Sequence, residues 1–316
     1  MLKNLIAAIV FAVLAGGAAF WFLTAPERLS EADIAEAGEG DAARGERIFF
    51  AGGCTSCHAR PGAEGDAVLQ LAGGVRLASP FGTFVAPNIS QHPQDGIGDW
   101  SFANFANAMQ RGVSPGGRHY YPAFPYTSYA RMNLSDVADL HAFMKTLPAV
   151  EGDAGPHEVG FPFNIRRGVG LWKLLNMSSA PVVQLADGAP EQVRHGRYLV
   201  EGPGHCGECH TPRDMTGGSK LDEWLAGAAA PVGDGIIPNI TPNGRDIGGW
   251  SVADIAEYLS SGFTPEFDSA GGEMAAVVKN TARLTDEDRA AIAAYLKAIP
   301  ARENGYPARG GTAIGQ

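Results

Sequence analysis

The chain has 316 residues, 45% of them hydrophobic, and carries a formal net charge of −10 at pH 7. The length suits two ordinary domains and the apolar share suits a globular protein. The acidic balance excludes a nucleic-acid binder, while 42 glycines and 21 prolines favour loop-rich domains over dense sheet.

The chain opens MLKNLIAAIVFAVLAGGAAFWFLTAPERLSEAD, with Lys3 ahead of an uncharged run from about Leu5 to Leu23. A secretory signal has an apolar core of ~7–15 residues, whereas a bilayer span takes ~20. The run therefore predicts a membrane anchor over residues 1–25, its Phe20, Trp21 and Phe22 suited to the interface. The alternative is a cleaved signal, for which the small residues from Ala15 to Ala19 offer a peptidase site. Either reading exports the rest of the chain and leaves Lys3 on the cytoplasmic side. Residues 26–40 read as a linker.

All four cysteines lie in CTSCH (54–58) and CGECH (206–210). A redox dithiol has no use for a histidine directly after the second cysteine. A zinc ion takes ~4 ligands, fewer than two such motifs together offer. In c-type haem attachment every residue is used, since two thiols add across the haem vinyl groups and the adjacent histidine reaches the iron. Cys54, Cys57, Cys206 and Cys209 are thus the expected attachment residues, with His58 and His210 as iron ligands, for two covalently bound haem c groups. Export agrees, because bacteria attach haem c outside the cytoplasmic membrane.

The motifs belong to a longer duplication. ARGERIFFAGGCTSCHARPG (43–62) parallels RHGRYLVEGPGHCGECHTPRD (194–214). APNISQHPQDGIGDWSFANFANAMQRGVSP (86–115) parallels IPNITPNGRDIGGWSVADIAEYLSSGFTP (237–265). MNLSDVADLHAFMKTLP (132–148) parallels ARLTDEDRAAIAAYLKAIP (282–300). The displacement stays near ~150 residues, so the chain holds a repeated domain, over 41–150 and 189–302. ARGERIFF and RHGRYLV predict amphipathic helices leading into each motif. Ser101, Ser251, Ser135 and Thr285 are predicted N-caps, with Asp288 at capping-box distance from Thr285. The closing helices are expected to stop at Pro148 and Pro300, and no strand pattern is evident. The connection 151–188 contains FPFNIRRGVGLWKLLNMSSAPVV (161–183), too apolar and too basic for a flexible tether. It predicts an ordered strap, or a surface that meets a partner or lipid headgroups. The tail after Pro300, including 303–316, is expected to be loosely held.

PNIS with GIGDWS, GGRHYYPAFPYTSYARM, PNIT with GGWS, GEMAAVVKNTARLTDEDRAAIAAYL and the two CxxCH motifs resemble the membrane-bound cytochrome c subunit of bacterial periplasmic dehydrogenases. Those are the alcohol, gluconate and aldehyde dehydrogenase complexes, and the resemblance covers most of 41–300. It implies an all-α fold of two tandem class I cytochrome c domains behind the N-terminal transmembrane helix. The family usually has three haem domains, and this chain has two motifs, which puts the partner enzyme in doubt.

The second axial ligand is less evident. In the second copy Met274 precedes the closing helix by about ten residues, where cytochromes c usually place a methionine. The corresponding residue of the first copy is Phe124, where the resembled subunits often have methionine. Met132, just before the closing helix, is the nearest soft donor, and His119 is the alternative. Met109 and Met144 read as core, Trp100 and Trp250 as packing. His92, His141, His157, His195 and His205 read as local hydrogen-bonding residues. Pro87–Asn88 and Pro238–Asn239 suit either a turn or support of the haem ligands.

The expected function is electron relay: a dihaem cytochrome, single-pass in the cytoplasmic membrane with its haem domains in the periplasm. It would pass electrons from a periplasmic dehydrogenase to quinone or a terminal oxidase. The alternative is catalysis at a haem, peroxidase-like or thiosulfate-oxidising. A thiolate ligand is excluded, since all four cysteines are used in attachment. Haem-stained denaturing gels test the count: Cys206→Ala with Cys209→Ala should leave one covalent haem, and complete loss of stain would refute two independent centres.

Overall fold

The computed structural model describes residues 1–231, 235–243 and 247–306. The part of the expected tail beyond 306 lies outside the described residues. The apolar opening run forms α1 (Leu2–Leu23), ~33 Å long at 1.5 Å per residue, enough for a ~30 Å hydrocarbon layer. Its mean hydropathy reaches 2.4 and none of it is buried. The expected linker contains a capped turn of helix, α2 (Glu31–Glu36), closed by a reciprocal Ser30–Asp33 capping box.

Each repeat then builds the same unit. The first contains α3 (Ala42–Ala51), α4 (Cys54–His58), α5 (Phe102–Arg111), α6 (Tyr126–Tyr129) and α7 (Leu134–Met144). After α8 (Gly168–Asn176) in the connection, the second contains α9 (Glu191–Glu201), α10 (Gly207–His210), α11 (Val252–Ser261), α12 (Gly272–Thr281) and α13 (Asp286–Ala298). The entry helix crosses the closing helix in both: α3 on α7, α9 on α13. Gly45 and Gly196 make this crossing close. A Cβ on Gly45 would stand 1.9 Å from the Asp139 carbonyl oxygen, and one on Gly196 1.9 Å from that of Ala291. The entry helices bury Ile48, Phe49 and Phe50 in one copy, and Leu199 and Val200 in the other.

Ser101, Ser251 and Thr285 cap α5, α11 and α13 as expected. Ser135 does not: α7 begins one residue earlier with Asn133 at its N-cap, so Ser135 falls inside the first turn. The same helix ends at Met144, short of Pro148, with Lys145 as its C-cap.

Strands, which the sequence did not suggest, occur as two antiparallel hairpins, β1 (Arg76–Ser79) with β2 (Gly82–Val85) and β3 (Ala228–Ala229) with β4 (Ile236–Ile237). At two to four residues each they are too short to show alternation. Nor is the start of the tail loose. Gly305 N donates to the Ala226 carbonyl at 2.9 Å, and Asn239 Nδ2 to the Arg302 carbonyl at 3.0 Å.

Introducing a methyl at the second crossing should lower the stability of that domain by about 1–3 kcal/mol or more, because the contact is with backbone that cannot step aside. Gly196→Ala should melt several degrees lower than the parent, while Gly116→Ala, where a Cβ meets nothing within 4 Å, should melt with it. Equal melting curves would show that the crossing is looser than this.

Candidate functional site

Both motifs are entered through a left-handed residue, Gly53 (φ 54°) in the first copy and His205 (φ 38°) in the second. Each motif then makes a single helical turn, which brings the two cysteines and the histidine to one side. His58 Nδ1 lies 2.8 Å from the Pro87 carbonyl oxygen, and His210 Nδ1 lies 2.8 Å from that of Pro238. A carbonyl only accepts, so Nδ1 carries the proton in both rings. Burial holds His58 below the usual histidine range against the pull of that carbonyl, which keeps the ring neutral.

The loop behind each ring repeats in detail. Gly73 N donates to the His58 carbonyl and Gly227 N to the His210 carbonyl, both at 2.7 Å. Leu71 (φ 52°) and Leu225 (φ 60°) stand in the left-handed region, costly for a branched side chain, at matching places. The asparagines after the two prolines turn inward. Asn88 Oδ1 accepts from Ser90 N and Asn239 Oδ1 from Thr241 N, both at 2.8 Å. Asn88 Nδ2 reaches the Val150 carbonyl at 2.8 Å, just beyond the closing helix, as Asn239 does to Arg302.

These residues fit covalent haem. A neutral imidazole with its proton held on Nδ1, as at His58, is what a nitrogen ligand to iron requires. Burial pushes the Cys54 and Cys206 thiols up to about 12, a setting for a neutral sulfur such as a thioether rather than for a thiolate on zinc. Among the described residues no three His, Cys, Asp or Glu side chains converge as a metal cluster.

The second axial candidates are placed unequally. Met274 lies in the first turn of α12, half-buried against the core. Met132 is buried, with its carbonyl taking Gln110 Nε2 at 2.7 Å. Phe124 packs edge-on to Tyr129 at 5.7 Å. His119 is buried, but its Nε2 lies 2.9 Å from the Thr24 carbonyl, at the end of α1. Met109 and Met144 are core residues. His195 is engaged with Asp288 and His141 lies against Phe105, whereas His205, expected to bond locally, reaches the Gly52 carbonyl of the first domain.

The residues between the cysteines, which sequence reasoning passed over, join the two domains. Thr55 Oγ1 donates to Asn280 Oδ1 at 2.9 Å, and Asn280 Nδ2 donates to Ser56 Oγ at 3.0 Å. Conversely, Thr127 and Ser128 hydroxyls both donate to Glu208 Oε1 at 2.8 Å. Each motif turn therefore rests on the helix before the closing helix of the other domain, α4 on α12 and α10 on α6. Cys57 and Cys209 come near enough that, after burial, the field of Cys209 is the next influence raising the Cys57 thiol. Tyr198 Oη donates to Asp136, and Arg47 Nη2 to Asp288 Oδ1 at 2.7 Å, closing the same interface further out. The only sequence signal for this was polarity at Thr55, Ser56 and Glu208, inside a motif whose other positions are spoken for.

Two such turns, each with a tautomer-fixed histidine and a buried cysteine pair, define a protein with two c-type haem centres. The cytochrome c family matches residues 42–148 and 194–300. The chain belongs to that family, with one covalently bound haem c in each half. A dihaem c-type cytochrome of Cereibacter sphaeroides is 55% identical over 303 residues, covering 96% of this chain and 100% of that protein. A nicotinate dehydrogenase subunit of Pseudomonas putida is 37% identical over 262 residues, covering 81% of this chain and 21% of the subunit. The gluconate 2-dehydrogenase cytochrome c subunit of Pantoea cypripedii is 34% identical over 268 residues, covering 82% of this chain and 60% of the subunit. The chain thus spans only part of those dehydrogenase subunits, and the two-centre arrangement has a full-length counterpart.

Glu208 gives the interface a pH dependence. Burial works against its charge, but Arg213 Nη2 at 2.6 Å and the two hydroxyls hold its carboxyl below the usual carboxylate range. A carboxyl lowered on folding stabilises the fold above its unfolded pKa, and that contribution is lost as pH falls through the folded value. Glu208→Gln should cost about 1–2 kcal/mol near neutrality, somewhat below the ~1.5–3 of a charged hydrogen bond because Arg213 is partly in water. The gap between parent and variant in thermal melts should close as pH drops below the carboxylate range. A gap that is constant from pH 7 to 3 would show that the charge plays no part.

Proposed function

We propose that this dihaem cytochrome is tethered to the cytoplasmic membrane by α1 and relays electrons on its outer side. The donor is a periplasmic dehydrogenase and the acceptor quinone or a terminal oxidase. Haem c held by these residues supplies a one-electron couple. The observation that carries the reading is the mutual docking of the two motif turns, Thr55 on Asn280 and Glu208 on Thr127 and Ser128. A relay needs its two centres close and rigidly spaced, whereas two independent catalytic sites need neither.

The chain's own residues hold and orient. Cys54, Cys57, Cys206 and Cys209 anchor the haem edges, and His58 and His210 are oriented with the proton kept on Nδ1 by Pro87 and Pro238. Met274 and Met132 would supply the thioether ligands. In the first domain Met132 is preferred for its place just before α7, where it is the thioether nearest along the chain to Phe124. Gln110 fixes the Met132 backbone, and Thr281, at the end of α12, donates to the Leu259 carbonyl of α11 at 2.5 Å. Sulfur ligands raise a haem potential relative to nitrogen. Two of the named relatives, the nicotinate dehydrogenase subunit and the gluconate 2-dehydrogenase cytochrome c subunit, support a dehydrogenase as the donor.

Two sulfur-ligated, closed centres predict a ferric far-red thioether band of which Met274→Ala removes half, with one midpoint potential falling and the other holding. Met132→Ala should remove the other half, and the reduced parent should bind no carbon monoxide and turn over no peroxide. Rapid carbon monoxide binding at one haem of the parent would overturn the relay and favour catalysis there.

A further inference from the structure

Outside α1, large exposed apolar side chains concentrate in the strap between the domains. Phe161 is 81% exposed and Leu175 78%, with Phe163, Leu171 and Leu174 between them. The helix there is inside out. Leu171, Leu174 and Leu175, at i, i+3 and i+4, form an outward stripe on α8, where a surface helix would bury its apolar face. Its polar groups point inward instead. Lys173 Nζ donates to the Arg111 and Gly112 carbonyls at 2.6 and 2.8 Å, over the Tyr126 ring at 4.6 Å. Trp172 Nε1 donates to the Thr216 carbonyl at 3.0 Å, beside Met215, which is 98% exposed. An apolar patch of this kind marks an interaction surface.

Its position relative to α1 says what covers it. Thr24, directly after the apolar run, is only 1% exposed. Arg167 Nε donates to Thr24 Oγ1 at 2.9 Å, its guanidinium also donates to the Trp21 carbonyl, and it lies over the Trp21 ring at 4.2 Å. Gly170 passes so close that a Cβ there would stand 2.6 Å from the Thr24 carbonyl oxygen. The start of α8 is therefore fixed to the last turn of α1, at the depth where a spanning helix leaves the hydrocarbon and where Trp21 suits the boundary.

We propose that the outward stripe of α8, with Phe161, Phe163 and Met215, lies in the outer interface of the bilayer that α1 crosses. The inference rests on α1 remaining a membrane span. The cytochrome would then stand on two points, α1 and an in-plane foot, which fixes the orientation of both haem domains to the membrane. An in-plane helix with its apolar face in the headgroup boundary is a known membrane mode, here with buried rather than lipid-facing polar groups.

Full-length protein in phosphatidylcholine vesicles, carrying one nitroxide label at a time, tests this. With Val13→Cys as the reference for the span and Glu257→Cys as the reference for water, Leu175→Cys and Met215→Cys labels should be open to oxygen. They should also be sheltered several-fold from a water-soluble nickel chelate relative to the Glu257 label. Labels at 175 and 215 as open to nickel as that at 257, with 13 sheltered, would refute the foot and leave the anchor intact. Labels sheltered from both reagents and immobilised would mean a protein contact, and would also refute it. Nickel access at 13 would show that α1 is outside the bilayer, and the anchor reading would fall with the inference.

Discussion

A single hydrogen bond, from the proximal histidine Nδ1 to a proline carbonyl, organises each half of this protein. It commits the proton to Nδ1 and fixes the orientation of the ring. To deliver that carbonyl at 2.8 Å the chain must fold back over the motif turn, which forces Leu71 and Leu225 into the left-handed region. The asparagine after each proline then ties the returning loop to the segment just past the closing helix. The closing helix is held in turn by its crossing with the entry helix at Gly45 or Gly196. A sequence of contacts therefore runs from the imidazole to the ends of each domain, and the backbone strain at two leucines is carried by everything that follows.

The two halves are alike in this framework and unlike where they meet. The first copy offers hydroxyls, Thr55 and Ser56, to an amide, Asn280. The second offers a carboxylate, Glu208, to two hydroxyls, Thr127 and Ser128. Duplicated domains with identical surfaces could pair in several registers. Chemically distinct, reciprocal contacts allow one arrangement, which is how the fixed spacing of two centres is obtained from a repeat. Gly207 belongs to the same asymmetry. A Cβ there would run into the Trp224 ring at 2.0 Å, so the second motif can carry no side chain at that position, while the first carries Thr55.

Much of this was legible in the residues. CxxCH assigns its own chemistry, the parallel stretches exposed the duplication, and Ser101, Ser251 and Thr285 were readable as caps because capping is local. What escaped was non-local or short. The hairpins have too few residues to alternate, and Asn133 displaced Ser135 as cap by two positions. Residues 301–305 look dispensable by composition yet hydrogen bond to the loops at Ala226 and Asn239. The docking of Glu208 on Thr127 joins residues 81 apart, and no window along the chain contains that information.

His119 connects separate parts of the structure. A histidine in a glycine-rich loop near a haem motif invites assignment to iron. Here its Nε2 meets the Thr24 carbonyl, the backbone group that α1 leaves exposed at its end. The backbone carbonyl of His119 accepts Arg166 Nη1 at 3.1 Å, and the neighbouring Arg167 holds the Thr24 hydroxyl. One buried imidazole thus joins the first haem domain, the strap and the end of the apolar helix. Without α1, the imidazole and Arg167 would each lose the Thr24 group they hold here.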